Sequence, residues 1–155
     1  PLAPLATLAE LIQLHKGAIA AMVPPLFDRL AAGEVPAEPQ DHEQATYVAV
    51  RRAADGQIDW SRPAEEVERL VRAVSRPYPG AFTTLKGQRL VIWSAKVIHY
   101  PQWHAQVGQV FTYEEGIPVV RCGEGTDLAL SEFELQPADG EVAAGTITGQ
   151  PRLGR

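Results

Sequence analysis

Residues 77–98, PYPGAFTTLKGQRLVIWSAKVI, decide how this chain folds. Before Pro77 the apolar residues recur at three- and four-residue spacing; after Gly80 the period becomes strand-like. Pro79-Gly80 makes a tight turn that needs glycine at positive φ, with Phe82 as the first core residue beyond it. Ala81–Leu85 and Arg89–Ile98 then read as strands on either side of Lys86-Gly87, a turn dipeptide. Gly108–Tyr113, Ile117–Cys122 and Leu128–Leu135 read as three more, punctuated by Glu115-Gly116 and Gly123-Glu124-Gly125. Five short strands in under 60 residues predict an OB-like, five-stranded, partly open barrel. From Asp139 onward the chain is Gly-rich and has no long periodic element.

Upstream of this stretch, Ser61 reads as an N-cap and Pro63 as a first-turn residue, with Glu65 and Glu66 near the positive end of the helix dipole. Val67, Leu70, Val71 and Val74 form the apolar face of a helix from about Pro63 to Val74. Tyr47, Val48 and Val50 read as a short strand ended by the Asp55-Gly56 turn. Glu34 to Thr46 is acidic and proline-rich. Because each proline biases its predecessor to extended geometry, this stretch reads as a linker. Leu5 to Ala32 reads as helix, with Thr7 and Glu10 as a capping box and Gly33 as its stop. Pro24 and Pro25 predict a kink or break within it. The fold class is thus mainly β with a helical arm (α+β). Residues 1–46 form arm and linker, and residues 47–155 form the barrel domain.

The bulk composition narrows the function classes. The net charge of −5 divides as 8 basic against 11 acidic residues over 1–76, and 6 against 8 over 77–155. Neither half is basic, which disfavours strong nucleic-acid binding, since that needs clustered Lys and Arg to displace counterions. Arg69, Arg72 and Arg76 on one helix are the remaining local patch. The single cysteine, Cys122, excludes an intrachain disulfide framework. No signal-peptide layout or long apolar run occurs, so a cytoplasmic protein with no membrane partner is expected. The first residue is Pro1 rather than Met, which reads as a processed or excised piece.

Four segments in order carry a family resemblance. They are Ala45-Thr46-Tyr47, Asp55-Gly56-Gln57-Ile58-Asp59-Trp60, Arg72-Ala73 and Pro77-Tyr78-Pro79-Gly80-Ala81-Phe82. From about Leu8 to Leu135 the chain resembles the junction and C-terminal domain of the folate-dependent formyltransferases. That family includes methionyl-tRNA formyltransferase, the amino-sugar formyltransferases and formyltetrahydrofolate dehydrogenase. The resemblance implies a parent enzyme whose Rossmann-like N-terminal domain binds 10-formyltetrahydrofolate and transfers its formyl group with an Asn, a His and an Asp. This chain contains no Asn and no His-x-Ser-Leu-Leu-Pro segment. By resemblance its arm is the helix that closes the catalytic domain, and the chain begins past the chemistry. Alone it is expected to formylate nothing, to contain no catalytic residue and to bind no cofactor itself.

The same resemblance makes Trp60, Arg72, Tyr78, Pro79, Gly80 and Phe82 candidates for a domain interface or the acceptor side of the cleft. Trp60 also reads simply as a buried anchor between arm and barrel. The implied partners are the catalytic domain and a small amine, such as a nucleotide-linked amino sugar. Transfer RNA is disfavoured by charge. A tRNA-binding C-domain and a stand-alone OB-like binding module are the alternatives.

Other chemistry is weaker. His99, Tyr100, Trp103 and His104 form a possible loop pocket, with no spacing that matches a zinc site. Trp93, Tyr100, Trp103 and Tyr113 are aromatic candidates for base stacking. Cys122 has no local signature of a nucleophile, and Gly123-Glu124-Gly125 lacks the Lys-Ser/Thr ending of a phosphate loop. His15 reads as a helix-surface or domain-interface histidine.

Overall fold

A computed structural model describes residues 6–35, 37–136 and 146–154. Leu5, Pro36 and the start of the Gly-rich tail, residues 139–145, lie outside the described residues. Helix α1 spans Leu8–Ala31 and α2 spans Ala64–Val74; the strands are β1 (Ala81–Leu85), β2 (Gln88–Ile98), β3 (Val110–Glu114), β4 (Ile117–Arg121) and β5 (Asp127–Gln136).

The strands form one antiparallel sheet in the order β1-β2-β5-β4-β3. Both two-residue hairpins have positive φ at both central positions, Lys86 and Gly87 in one, Glu115 and Gly116 in the other. That geometry is the type I′ turn, whose twist matches its flanking strands. Bulges near Trp93 in β2 and Phe111 in β3 bend the sheet toward closure. Helix α2 buries Ala64, Val67, Val71 and Val74 in the main core, against Leu90, Ile92, Leu128 and Leu130.

The open seam between β1 and β3 is stitched by the last described residues. Val110 donates its amide to the Pro151 carbonyl at 2.9 Å, Leu153 to Gly108 at 2.8 Å, and Gly154 to Thr84 at 2.9 Å. Ile147 and Leu153 are buried beneath this seam, and the Tyr113 hydroxyl donates to the carbonyl of Gly149 at 2.7 Å. A Gly-rich tail thus becomes part of the barrel wall.

Several local expectations are corrected. Tyr47, Val48 and Val50 form no strand and are at least 87% exposed, because no neighbouring strand offers them a ladder. The linker contains one 3-10 turn, His42–Gln44, capped by Asp41 through the Glu43 amide at 3.0 Å. The N-cap of α2 is Pro63, not Ser61. Ser61 turns its hydroxyl to Asp59 at 2.6 Å, and the free Ala64 amide is taken by the Thr126 hydroxyl at 2.8 Å. Phe82 faces outward beneath the Arg89 guanidinium, 3.6 Å from its ring centre, while Ala81, Thr83 and Leu85 point into the core. Of the kink or break expected at Pro24 and Pro25, the break does not occur, since helix α1 runs on through both prolines.

The termini of α1 behave as read. Thr7 and Glu10 form the reciprocal capping box. At the other end Gly33 has φ 82°, its amide donates to Leu30, and that of Glu34 donates to Arg29. This is a Schellman motif. No residue of α1 is buried, although Leu14, Ile19, Met22 and Phe27 are all on it.

Candidate functional site

Where the arm meets the barrel, a cleft of about 480 Å³ opens between the start of α1, residues 51–56, the end of α2 and the turn before β1. Its floor is backbone. The Gly80 amide donates to Val74 at 2.9 Å, and the Tyr78 amide donates to Ser75 at 3.1 Å, folding the turn back over the helix end. Gly80 has φ 83°, and a Cβ there would lie 2.8 Å from the Trp93 ring. On the other side, a Cβ on Gly56 would lie 2.8 Å from the Gly80 carbonyl. The two glycines therefore let two chain segments touch. The Ile58 amide then donates to the Phe82 carbonyl at 2.8 Å, locking the segments together.

Of the six interface candidates, Tyr78, Pro79 and Gly80 line this cleft. Arg72 lies beside it. Its Nε meets Glu68 at 2.6 Å and its Nη1 donates to the Ala6 carbonyl at 3.1 Å, tying the start of the arm to α2. Trp60 is in the barrel core, where its indole N–H donates to the Thr83 hydroxyl at 3.0 Å. Phe82 is on the outer face of β1.

Two lining residues were not singled out from sequence, Arg51 and Arg52. Arg29, Arg62, Arg72, Arg76 and Arg121 each hold a carboxylate. Arg51 and Arg52 hold none among the described residues. Asp55, the acid nearest in sequence, accepts from the Arg52 backbone amide at 2.6 Å.

The second candidate group lies on the far side of the sheet. Tyr100 and Trp103 turn their rings onto Phe111, with centroids 6.2 and 5.7 Å away. His99 and His104 are exposed, and no cluster of metal-ligating side chains occurs among the described residues. The loop is held from below by one buried ion pair. Arg121 Nε meets Asp127 Oδ1 at 2.7 Å; their side chains are 10% and 0% exposed. The spare Asp127 oxygen accepts the Tyr100 amide at 2.9 Å, and Arg121 donates to the Trp103 carbonyl at 2.8 Å. Both charges are compensated, which a buried pair requires. The aromatic loop is thus fastened to the sheet by a charge pair across β4 and β5.

Cys122 sits next to this pair. Burial, and then the Asp127 charge, push its thiol up to about 12. At neutral pH it is a protonated core residue rather than a nucleophile. Asp59 is held below its usual range by the Ser61 hydroxyl and amide, but it is exposed and serves the turn into α2.

No helix of the described residues is long and apolar enough to cross a membrane. Among solved structures, a variant of HypX from Aquifex aeolicus shares the fold with a TM-score of 0.58 at 14% identity. That match covers 81% of this chain and 22% of the other, so this chain spans about a fifth of that protein's length. Residues 51–148 match the family described as formyl transferase, C-terminal domain, a span that takes in the 51–56 side of the cleft, α2 and the whole five-stranded sheet. The chain belongs to the formyl transferase C-terminal domain family.

Proposed function

We propose that this chain is the non-catalytic C-terminal portion of a 10-formyltetrahydrofolate-dependent formyltransferase. It supports a separate catalytic domain and shapes the acceptor side of that domain's cleft. The observation that carries this reading is the contrast between a buried barrel core and an uncovered arm. Helix α1 carries an apolar stripe that includes Ile19, Met22, Leu26 and Leu30, yet none of its residues is buried. A helix with an apolar stripe packs that stripe against another body, and the Rossmann-like domain implied by the family supplies one. In this reading 10-formyltetrahydrofolate is bound there rather than here. A pterin ring is held by carboxylates that accept from its N–H groups, and the junction cleft is lined by no carboxylate among the described residues.

The acceptor in this proposal is a small amine, such as an amino sugar nucleotide, rather than initiator tRNA. The support is electrostatic, since the chain carries a net charge of −5. The test expresses the complete reading frame that contains this chain. It follows 10-formyltetrahydrofolate consumption with amino sugar nucleotides and with charged initiator tRNA. Turnover with the sugars alone is expected. Turnover with tRNA alone would move the protein to the tRNA-binding type, and none with either would overturn the formyltransferase reading.

A further inference from the structure

The junction cleft gathers two arginines that no acid meets among the described residues. The whole sequence has 19 acidic residues against 14 basic. Yet the cleft is lined by two arginines and a tyrosine, and by no carboxylate. We infer that this cleft is a binding site for the phosphate group of a small phosphate ester, with Arg51 and Arg52 as its receptors.

Three observations converge on that ligand class. The guanidiniums of Arg51 and Arg52 have no acidic partner among the described residues, while Asp55 is occupied by the Arg52 amide at 2.6 Å. A guanidinium offers a planar fork of donors that fits a phosphate oxyanion bidentately, and two of them match a dianion. Next, the volume of about 480 Å³ lies in the range of small-molecule sites, which is larger than a bare inorganic ion requires. The remaining walls, Leu8, Ala53, Val74 and Pro79, are apolar and suit an organic body attached to the phosphate. Finally, Tyr78 is 54% exposed at the rim, with a ring face for a sugar or base and a hydroxyl to donate.

The site is also built in advance. Its floor, Gly56 against Gly80, is held by backbone hydrogen bonds on both sides. The backbone of this floor need not be ordered on binding, so the groups that binding immobilises are chiefly the exposed Arg51 and Arg52 side chains. The inference goes beyond the formyltransferase reading and stands whichever amine is the acceptor.

The experiment uses the 155-residue chain as it is. Backbone amide NMR spectra are recorded during titration with uridine 5′-diphosphate, inorganic pyrophosphate, 5-formyltetrahydrofolate and a single-stranded RNA oligonucleotide. The nucleoside diphosphate is expected to bind more tightly than pyrophosphate and to shift the amides of Ala53, Gly56 and Gly80. The R51Q/R52Q double variant is expected to weaken it by at least about tenfold, given the strength of charge-assisted hydrogen bonds. R29Q, on the exposed end of the arm, leaves the affinity unchanged. Because Arg51 and Arg52 make no ion pair among the described residues, the double variant keeps its fold, which the same spectra check. Shifts elsewhere, or an affinity the double variant leaves intact, overturn the site. Tighter binding of the folate or of the RNA overturns the ligand class. A failure of binding leaves the formyl-transfer assay of the complete protein untouched, so the two proposals fail separately.

Discussion

Helix α1 and the barrel are both rich in apolar residues, yet they end in opposite states. The arm satisfies its own backbone at both ends, through the Thr7–Glu10 box and the Gly33 motif, and buries nothing. The barrel leaves few local signals unused and buries Leu90, Ile92, Leu128 and Leu130 completely. The comparison teaches that capping and burial are independent achievements. Caps each contribute about 1 kcal/mol and need only neighbours in sequence, whereas burial needs a partner surface. The arm has the first without the second, so its stability here is that of an isolated helix, which is marginal in water.

The sharpest way to break the barrel side is at its buried charge pair. Asp127→Ala leaves Arg121 charged beneath the aromatic loop and frees the Tyr100 amide. The expected loss is about 3–5 kcal/mol in denaturant unfolding, the usual penalty for an orphaned buried charge. It should come with loss of the ring packing of Trp103 on Phe111, seen as a red-shifted tryptophan emission. A loss below about 1 kcal/mol would mean that water reaches the pair and that the loop is not fastened by it.

A gentler probe is the pH dependence set by Cys122. Its folded thiol is pushed up to about 12, whereas an unfolded cysteine titrates near about 8.5. A raised folded value means that the protonated form is favoured by folding. That contribution is complete below about pH 8.5 and is lost as pH rises toward 12. Above about pH 9 the wild-type chain should therefore lose up to about 1.4 kcal/mol per pH unit more than Cys122→Ala. Parallel stability curves for the two proteins would show that the thiol is solvated. The arm contains no cysteine, so this slope reports on the barrel alone.

Most of the barrel was legible because its turns carry their own chemistry. Lys86-Gly87 and Glu115-Gly116 demand positive φ at both positions and fix the register of both hairpins, so the strand ends were found to within two residues. Apolar residues alone were a poor guide. Tyr47, Val48 and Val50 have strand composition but no partner, and propensity does not make a ladder. Tertiary substitution was invisible for the same reason. Thr126 caps α2 from 62 positions away, and nothing near Ser61 announces it. The tail that closes the seam offered only Ile147 and Leu153, two apolar residues in a Gly-rich segment. At the candidate site, Tyr78, Pro79 and Gly80 were visible through the turn they form. Arg51 and Arg52 were missed, since an arginine pair before Asp-Gly looks like an ordinary solvated loop until the cleft and its missing acids are seen.

The smallest effect belongs to the arm, and its smallness is the point. Thr7→Ala removes the cap that accepts the Glu10 amide, worth about 1 kcal/mol to the helix. Met22→Asp places a charge on a face that touches nothing, since Met22 is 67% exposed. Neither should move the denaturation midpoint of the barrel by more than about 0.5 kcal/mol, the ordinary range for surface changes. Circular dichroism at the helical minimum should fall while tryptophan emission stays fixed, because Trp60, Trp93 and Trp103 all lie beyond the arm. The contacts that couple the two regions sit at the start of the arm, where Leu8 faces Ala73 and Val74 across the cleft and Arg72 donates to the Ala6 carbonyl at 3.1 Å. If Met22→Asp instead lowers the barrel midpoint by a kcal/mol or more, the arm has found a surface on its own chain or on a second copy. A concentration-dependent midpoint would separate those two cases. In the presence of the proposed catalytic domain the same substitution should cost far more, because the face it alters would then be buried.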